Sequence, residues 1–271
     1  MTNTKVSTLV AAIAFSLAPA IHAHDGGSGE SPAAMPHYYV AAPLAGGVVT
    51  TYVTRTKADD RKGKMPLQVG IEIPAAVMNN LPSTPVAMAI DLPTSARNTP
   101  FQYMMLDWNP NGHEPAGVYD KPHFDFHFYM QDLEDVMDIK PGDCSGLNCD
   151  DYAKAMKPLP AEFAPEGYIN VGSVVPYMGN HLVDPASPEF NGKLFTRTWL
   201  YGTYDGEITF YEPMITRKSL VEDGNQCSSL KLPSAYSKSG YYPTKYCTQY
   251  DERQKVYRIF VADFVYRQQP Q

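Results

Sequence analysis

After residue 38 the chain alternates short hydrophobic segments with breaks at proline and glycine. In GVVTTYVTR (47–55), PLQVGIEIP (66–74) and VAMAIDLP (86–93), β-branched, aliphatic and aromatic residues are interleaved with polar ones. Such segments are typical of strands in an antiparallel sheet. The pattern predicts a mainly β fold: an antiparallel β-barrel or β-sandwich with a few short helices and long loops stapled by disulfides.

Later segments add a hairpin and several short elements to this prediction. Residues 195–201 and 207–211 flank a turn that contains Asp205 and Gly206, which favours a two-stranded hairpin. The other predicted elements are short helices at 74–81, 133–139 and 152–157, a long polar loop at 222–246 and a last strand at 255–267.

The segment HFDFH (123–127) is predicted to be a strand that carries functional side chains. It follows a turn at 109–112, and its polar residues alternate with phenylalanines. In a strand, His123, Asp125 and His127 point to one face and the phenylalanines to the other. At ~3.3 Å per residue the two histidines lie about 13 Å apart, so both cannot easily bind one ion. In a helix the same pair would suit a zincin site, but the glutamate expected beside the first histidine is absent.

Histidines and carboxylates near this strand predict a divalent-metal site. The expected ligand set is an adjacent pair from the strand together with His113 and with His181, which is predicted to lie in a turn. Glu114 and Glu212 are candidate catalytic proton carriers if the metal activates water or oxygen. The residue types do not distinguish zinc, iron, manganese and copper. The candidate metal ligands are His113, His123, Asp125, His127 and His181.

The beginning of the chain predicts export. Residues 1–23 combine one lysine, an apolar run too short to span a membrane, and small residues, which is the layout of a secretory signal peptide. Residues 24–37 are expected to form a flexible arm, and 38–271 a single β-rich domain. Cleavage removes Lys5 and no acid, so the formal net charge changes from −7 to −8.

These features predict a periplasmic or secreted protein with no membrane insertion after cleavage. An acidic chain without a basic run is a poor partner for nucleic acid or for an anionic membrane. A small-molecule ligand and a homo-oligomer stay open as partners.

The four cysteines predict two disulfides in an oxidising compartment. Proximity pairs Cys144 with Cys149 and Cys227 with Cys247. The alternative is a zinc site with four thiolates, although structural zinc sites favour tighter cysteine pairs than these.

Other catalytic patterns are weak. The serines lack the strand–turn–helix context of a nucleophile elbow, and no glycine-rich phosphate loop follows a strand. A further alternative is a sugar-binding face on the hairpin, with paired carboxylates as in glycosidases. That face would contain Asp205, Glu207, Glu212, Trp199, Tyr201, Tyr204 and Tyr211.

Three long segments carry a resemblance to a known family. GHEPAGVYDKPHFDFHFY (112–129), MGNHLVDPASPEF (178–190) and LFTRTWLYGTYDGEITFYEPMI (194–215) together resemble a bacterial family of unknown function typified by a sigma-E-regulated Thermus protein. The resemblance implies no activity, only that the candidate residues stand in the family's characteristic segments. A turn, a histidine-bearing strand and a later Gly-x-His are also similar to a cupin metal site. Cupins, however, place two histidines one residue apart, followed by a glutamate.

The sequence therefore predicts an exported protein with a divalent-metal site of histidines and carboxylates, similar to that of cupins. The competing hypothesis is a noncatalytic envelope protein that binds a small ligand or self-assembles without metal. In that case the histidines only hydrogen-bond turn backbones and tyrosine hydroxyls. The sequence leaves open whether the protein is an enzyme.

Overall fold

The computed structural model describes residues 38–56 and 65–271. The predicted signal peptide (1–23) and arm (24–37) lie outside the described residues. None of the helices within the described ranges has the length and hydrophobicity that a membrane crossing requires.

The described residues form mainly β-strands with a few short helices. The strands are, in chain order, β1 (Tyr38–Leu44), β2 (Gly47–Arg55), β3 (Pro66–Pro74), β4 (Val86–Asp91), β5 (Tyr103–Asn109), β6 (His123–Tyr129), β7 (Pro141–Gly142), β8 (Gly146–Leu147), β9 (Ile169–Val175), β10 (Gly179–Val183), β11 (Arg197–Tyr204), β12 (Glu207–Thr216), β13 (Gln226–Ser229), β14 (Gly240–Tyr242), β15 (Lys245–Asp251), β16 (Val256–Ala262) and β17 (Val265–Arg267). The α-helices are α1 (Ala75–Asn80), α2 (Leu133–Met137), α3 (Cys149–Ala155) and α4 (Arg217–Glu222), and short 3-10 turns lie at Thr94–Ala96, Ala161–Phe163 and Pro188–Asn191.

Two antiparallel sheets face each other. The first has the strand order β1-β2-β3-β16-β15-β13, and the second has the order β4-β5-β6-β12-β11-β10-β9. One hydrophobic core takes residues from both, including Ile71 of β3, Ile259 of β16 and Phe126 of β6, each fully buried. The mainly β prediction is confirmed, and of the two predicted architectures the described strands adopt the sandwich.

The outer face of the seven-stranded sheet is also covered by apolar side chains. Val136 of α2 packs against this face in one hydrophobic cluster, the helix-side cluster. Tyr119, in the segment 110–122, packs against it in another, the loop-side cluster. The other buried members are Tyr103, Met105, Tyr129 and Phe210 of the helix-side cluster, and Val183, Phe195, Leu200 and Met214 of the loop-side cluster. Because both sides of this sheet are covered, polar side chains on its outer face are removed from water.

Both predicted disulfides are confirmed. Cys144 is bonded to Cys149, and Cys227 of β13 is bonded to Cys247, which lies directly opposite it on β15. The alternative of a four-thiolate zinc site is therefore wrong. The prediction of one long loop at 222–246 is also wrong, because the segment contains β13 and β14. Its polar edge strands lack the hydrophobic alternation by which strands are recognised.

The predicted hairpin and helices are present with shifted ends. β11 begins at Arg197, later than predicted, and runs to Tyr204, whereas β12 extends to Thr216; Tyr204 pairs with Glu207 at the turn. The third helix begins earlier than expected because Asn148 caps it, its Oδ1 accepting a hydrogen bond from the backbone N–H of Asp151 at 2.9 Å.

Candidate metal centre

Strand β6 presents a row of polar side chains on the covered outer face of its sheet. His123, Asp125 and His127 are at most 5% exposed, and the phenylalanines between them lie in the core between the sheets. The predicted strand and its alternation are confirmed. Burial of three ionisable side chains in an apolar setting requires partners for each of them.

His123 and Asp125 belong to an outer cluster that His113 completes. The Nε2 atom of His113 lies 3.3 Å from Oδ2 of Asp125, and Nε2 of His123 lies 3.1 Å from its Oδ1. The side chain of His113 is 39% exposed, so this cluster reaches the surface.

Backbone carbonyls fix the histidine rings of the outer cluster. Nδ1 of His113 lies 2.7 Å from the carbonyl oxygen of Glu114, and Nδ1 of His123 lies 2.6 Å from that of Lys121. A ring nitrogen facing a carbonyl oxygen must donate, so Nδ1 carries the proton in both rings. Nε2 is then free to bind a proton or a metal beside Asp125.

A tight turn brings His113 back over β6. The N–H of Gly112 donates to the carbonyl of Asn109, and His113 forms an isolated β-bridge with Tyr119. Gly112 has a φ of 72°, and a Cβ there would lie 2.1 Å from the carbonyl oxygen of Tyr119. Only glycine permits this approach. Asn109 also donates from Nδ2 to Oδ2 of Asp125 at 2.7 Å, which anchors the carboxylate.

His127, His181 and Glu212 form a second, inner cluster. Nε2 of His127 lies 3.4 Å from Oε1 of Glu212, and Nε2 of His181 lies 3.6 Å from its Oε2. Nδ1 of His181 donates to the carbonyl of Ser173 at 3.0 Å, so Nε2 of that ring also carries a lone pair. All three side chains are at most 8% exposed.

The strand register explains how the inner cluster forms. On β12, Tyr211 pairs with Phe128 and Met214 with Asp125, so Glu212 lies beside His127. His181 is on β10, two strands away from Glu212, and not in the turn predicted for it.

An aromatic ring closes the inner cluster from one side. The ring centroid of Phe210 lies 5.1 Å from that of His127 and 5.2 Å from that of His181. Gly202, opposite Phe210 on β11, makes room for this ring, because a Cβ there would lie 2.0 Å from it. The fit of Phe210 over the inner cluster therefore depends on Gly202.

The outer cluster favours charged side chains. Burial alone would lower the pKa of His113, but the hydrogen bond and the charge of Asp125 raise it above its ordinary value. Burial would likewise raise the pKa of Asp125, but the close contacts with the rings of His113 and His123 and the charges of those rings lower it below its ordinary value. Asp125 is therefore a carboxylate.

The inner cluster favours neutral side chains. Burial lowers the pKa of His127 to about 3 and that of His181 to about 4. Burial and the charges of Asp125 and Asp107 raise the pKa of Glu212 well above its ordinary value. For both histidines, desolvation outweighs the charge of Asp125, which raises their pKa values.

Asp107 is a functional candidate that the sequence reasoning missed. It lies on β5 directly opposite Asp125, is 8% exposed, and places Oδ2 3.4 Å from Nδ1 of His127. Burial and the charge of Asp125 raise its pKa well above the ordinary value. The sequence offers one signal for Asp107: it is the only acidic residue in the mostly apolar segment MMLDWN (104–109). That signal points to the site only when β5 is known to pair with β6.

The structure divides the five predicted metal ligands between the two clusters, with His113 and His181 in different ones. Glu212, predicted as a proton carrier, belongs to the inner cluster. Glu114, the other predicted proton carrier, belongs to neither: it is exposed and accepts a hydrogen bond from the N–H of Ala116 at 2.6 Å.

Each cluster could hold a metal ion. Its three ligand atoms lie within 4.8 Å of one another. Ligands at ~2.1 Å from a tetrahedral ion are about 3.4 Å apart, and the nitrogen–oxygen distances in the two clusters run from 3.1 to 3.6 Å. Two histidines and one carboxylate are a ligand set used by zinc and by non-haem iron.

The hairpin residues considered for sugar binding do not form one surface. Trp199, Tyr201 and Tyr211 lie in the core between the sheets. Asp205 is exposed and paired with Lys157 at 2.8 Å, whereas Glu212 is buried in the inner cluster. The sugar-face alternative is therefore wrong for this set.

Comparisons with known proteins add no relatives. No protein-family model matches the chain, and searches of curated proteins and of solved structures found no match either. The resemblances to the family typified by the Thermus protein and to cupins stay predictions.

Proposed function

We propose that this chain is an exported divalent-metal protein and that its inner cluster, His127, His181 and Glu212, binds the metal. The observation that carries the proposal is a set of buried polar atoms that face one another without hydrogen bonds. Nε2 of His127 and Oε2 of Glu212 have no hydrogen-bond partner in the part of the chain that the structure describes. Each such atom costs ~1–3 kcal/mol, and one cation would satisfy them together.

The histidine geometry supports metal binding over a purely hydrogen-bonded cluster. The nitrogen–oxygen distances of 3.4 and 3.6 Å exceed those of ordinary hydrogen bonds, which are ~2.7–3.2 Å. They match the spacing of two ligands on one ion. A carbonyl on Nδ1 of His181 is the usual means of presenting Nε2 to a metal.

The metal would be zinc, iron, manganese or copper. When bound, such an ion supplies a Lewis acid and a coordination position for water or oxygen. The chain itself contributes ligands on three strands, β6, β10 and β12, and excludes water with Phe210.

Metal analysis of the full chain purified from an oxidising compartment tests the proposal. We expect at least one bound equivalent per chain after dialysis, and the loss of one equivalent in a His127→Ala/His181→Ala double variant and in Glu212→Gln. Glu189→Gln is the matched control, because Glu189 is a buried glutamate outside both clusters. Metal-free wild-type protein, or unchanged metal in the double variant, would contradict the proposal.

Export is supported by the two disulfides, which persist in oxidising compartments. We place the protein in the periplasm or outside the cell. Cell fractionation tests this: the expected product is an extracytoplasmic chain that begins near residue 24. An uncleaved chain with reactive thiols in the cytoplasm would contradict it.

A second candidate function is a noncatalytic envelope protein that holds no metal and binds a small ligand or self-assembles. It is favoured by the outer cluster, where His113, whose pKa is raised, lies 3.3 Å from the carboxylate of Asp125 and can balance its charge without a metal. The same metal analysis separates the two candidates.

A further inference from the structure

The outer and inner clusters are neighbours on one strand. Asp125 of the outer cluster and His127 of the inner one are successive outward-facing residues of β6. Residues two apart in a strand are separated by about 6.6 Å. Ions bound at both clusters would therefore lie close to each other.

The outer cluster shares the features that favour metal binding at the inner cluster. Nε2 of His123 and Oδ1 of Asp125 are buried and lack a hydrogen-bond partner among the described residues. The rings of His113 and His123 are oriented by carbonyls on Nδ1, as in the inner cluster. The two histidines approach different oxygens of the same carboxylate in both clusters.

Asp107 lies between the clusters. Its Oδ2 lies 3.4 Å from Nδ1 of His127, an atom without a hydrogen-bond partner among the described residues, and Nε2 of the same ring faces Glu212. A carboxylate at this position would orient the ring for a metal once it accepts a hydrogen bond from Nδ1. Oδ1 of Asp107 is buried without a hydrogen-bond partner in the described ranges. Asp107 and Asp125 stand opposite each other on adjacent strands, so two ionised carboxylates at these positions would repel each other unless a cation lies nearby.

We propose that the outer cluster, His113, His123 and Asp125, is a second divalent-metal site, and that Asp107 serves both sites of a two-metal centre. Asp107 orients His127 for the inner ion, and its negative charge attracts both ions. The exposed ligand is His113, so the outer ion is the one within reach of solvent. This inference rests on the proposed function of the inner cluster.

Titration of the metal-free full chain with Zn²⁺, with metal content measured after dialysis, tests the second site. We expect two equivalents in the wild type, and one each in Asp125→Asn and Glu212→Gln. Asp151→Asn, which changes a buried aspartate outside the clusters, should keep two. His113→Asn changes an exposed ligand of the outer cluster and should weaken the binding of the outer ion alone. It tests the second site even if Asp125→Asn fails to fold.

The shared role of Asp107 has its own readout. Asp107→Asn should weaken both binding steps by about tenfold to a hundredfold. With Mn²⁺ as the probe, the paramagnetic resonance spectrum of the wild type should show two ions broadening each other, and Asp125→Asn should show one isolated ion.

The outcomes separate the two proposals. One wild-type equivalent, lost in Glu212→Gln but kept in Asp125→Asn, would overturn the two-metal centre and leave the proposed function standing. No bound equivalent would overturn both. Two equivalents with affinities unchanged in Asp107→Asn would overturn the shared role of Asp107.

Discussion

The outer and inner clusters each contain two histidines and one acidic residue, but they differ in charge. In the outer cluster, Asp125 is ionised and His113 has a raised pKa. In the inner cluster, His127 and His181 have lowered pKa values and Glu212 a raised one. The outer cluster lies at a strand end and reaches water through His113, whereas central strands and Phe210 enclose the inner one.

The difference shows that surroundings, and not ligand identity, set the charge of such a cluster. Protons can balance the outer cluster, because each histidine lies within reach of Asp125. The nitrogen–oxygen contacts of the inner cluster are longer, at 3.4 and 3.6 Å against 3.1 and 3.3 Å in the outer one, so we expect the inner cluster to depend more on a cation.

Removal of the ion from the inner cluster should destabilise the protein more than removal of the ion from the outer cluster. For an ion present at a thousand times its Kd, chelation should lower the free energy of unfolding by about 4 kcal/mol. Asp125→Asn keeps the inner ion and Glu212→Gln keeps the outer one. We expect chelation to lower the free energy of unfolding more in Asp125→Asn than in Glu212→Gln. Urea denaturation with and without a chelator measures both, and equal losses would contradict the difference between the clusters.

In metal-free protein at neutral pH, Asp125→Asn should lower the free energy of unfolding more than Glu212→Gln does. Asp125→Asn removes a buried charge from between two histidines and should cost about 3 kcal/mol, the lower end for a broken buried pair because His113 is partly exposed. Burial raises the pKa of Glu212 and so favours its neutral acid. Glu212→Gln replaces that acid by a similar neutral amide and should cost less than about 1 kcal/mol. Urea denaturation decides, and a costlier Glu212→Gln would show that Glu212 is ionised.

Gly202→Ala should disturb the inner cluster alone. The new Cβ overlaps the Phe210 ring, which must move against His127 and His181. We expect a loss of about 1–3 kcal/mol in stability from overpacking and weaker binding of the inner ion. Zn²⁺ titration should find the outer step unchanged; a loss of the outer step instead would be inconsistent with this account.

Glu114→Gln should have the smallest effect. Its carboxylate is exposed and bonds only to its own loop in the described structure. The expected change in unfolding free energy is within about 0.5 kcal/mol, with metal content unchanged. Loss of metal from this variant would show that Glu114 takes part in metal binding.

Local sequence was enough to predict the β6 strand and its functional face. The alternation of His123, Asp125 and His127 with phenylalanines is a property of neighbouring residues, and so is the separation that keeps the two histidines from sharing an ion. The disulfide pairs were also predictable, because few pairings are possible for four cysteines and proximity favours the observed one.

Only the tertiary structure decided which residues meet these side chains. His113 joins His123 through the turn at Gly112, whereas His181 and Glu212 reach His127 through the strand order β6-β12-β11-β10. Asp107 became a candidate only when β5 paired with β6. Register and strand order depend on packing between segments far apart in the chain, and a one-residue slip would turn Glu212 to the other face. The sequence by itself therefore determined a strand with two histidines and an aspartate on one face, and the sheet that holds it determined that these side chains belong to two clusters.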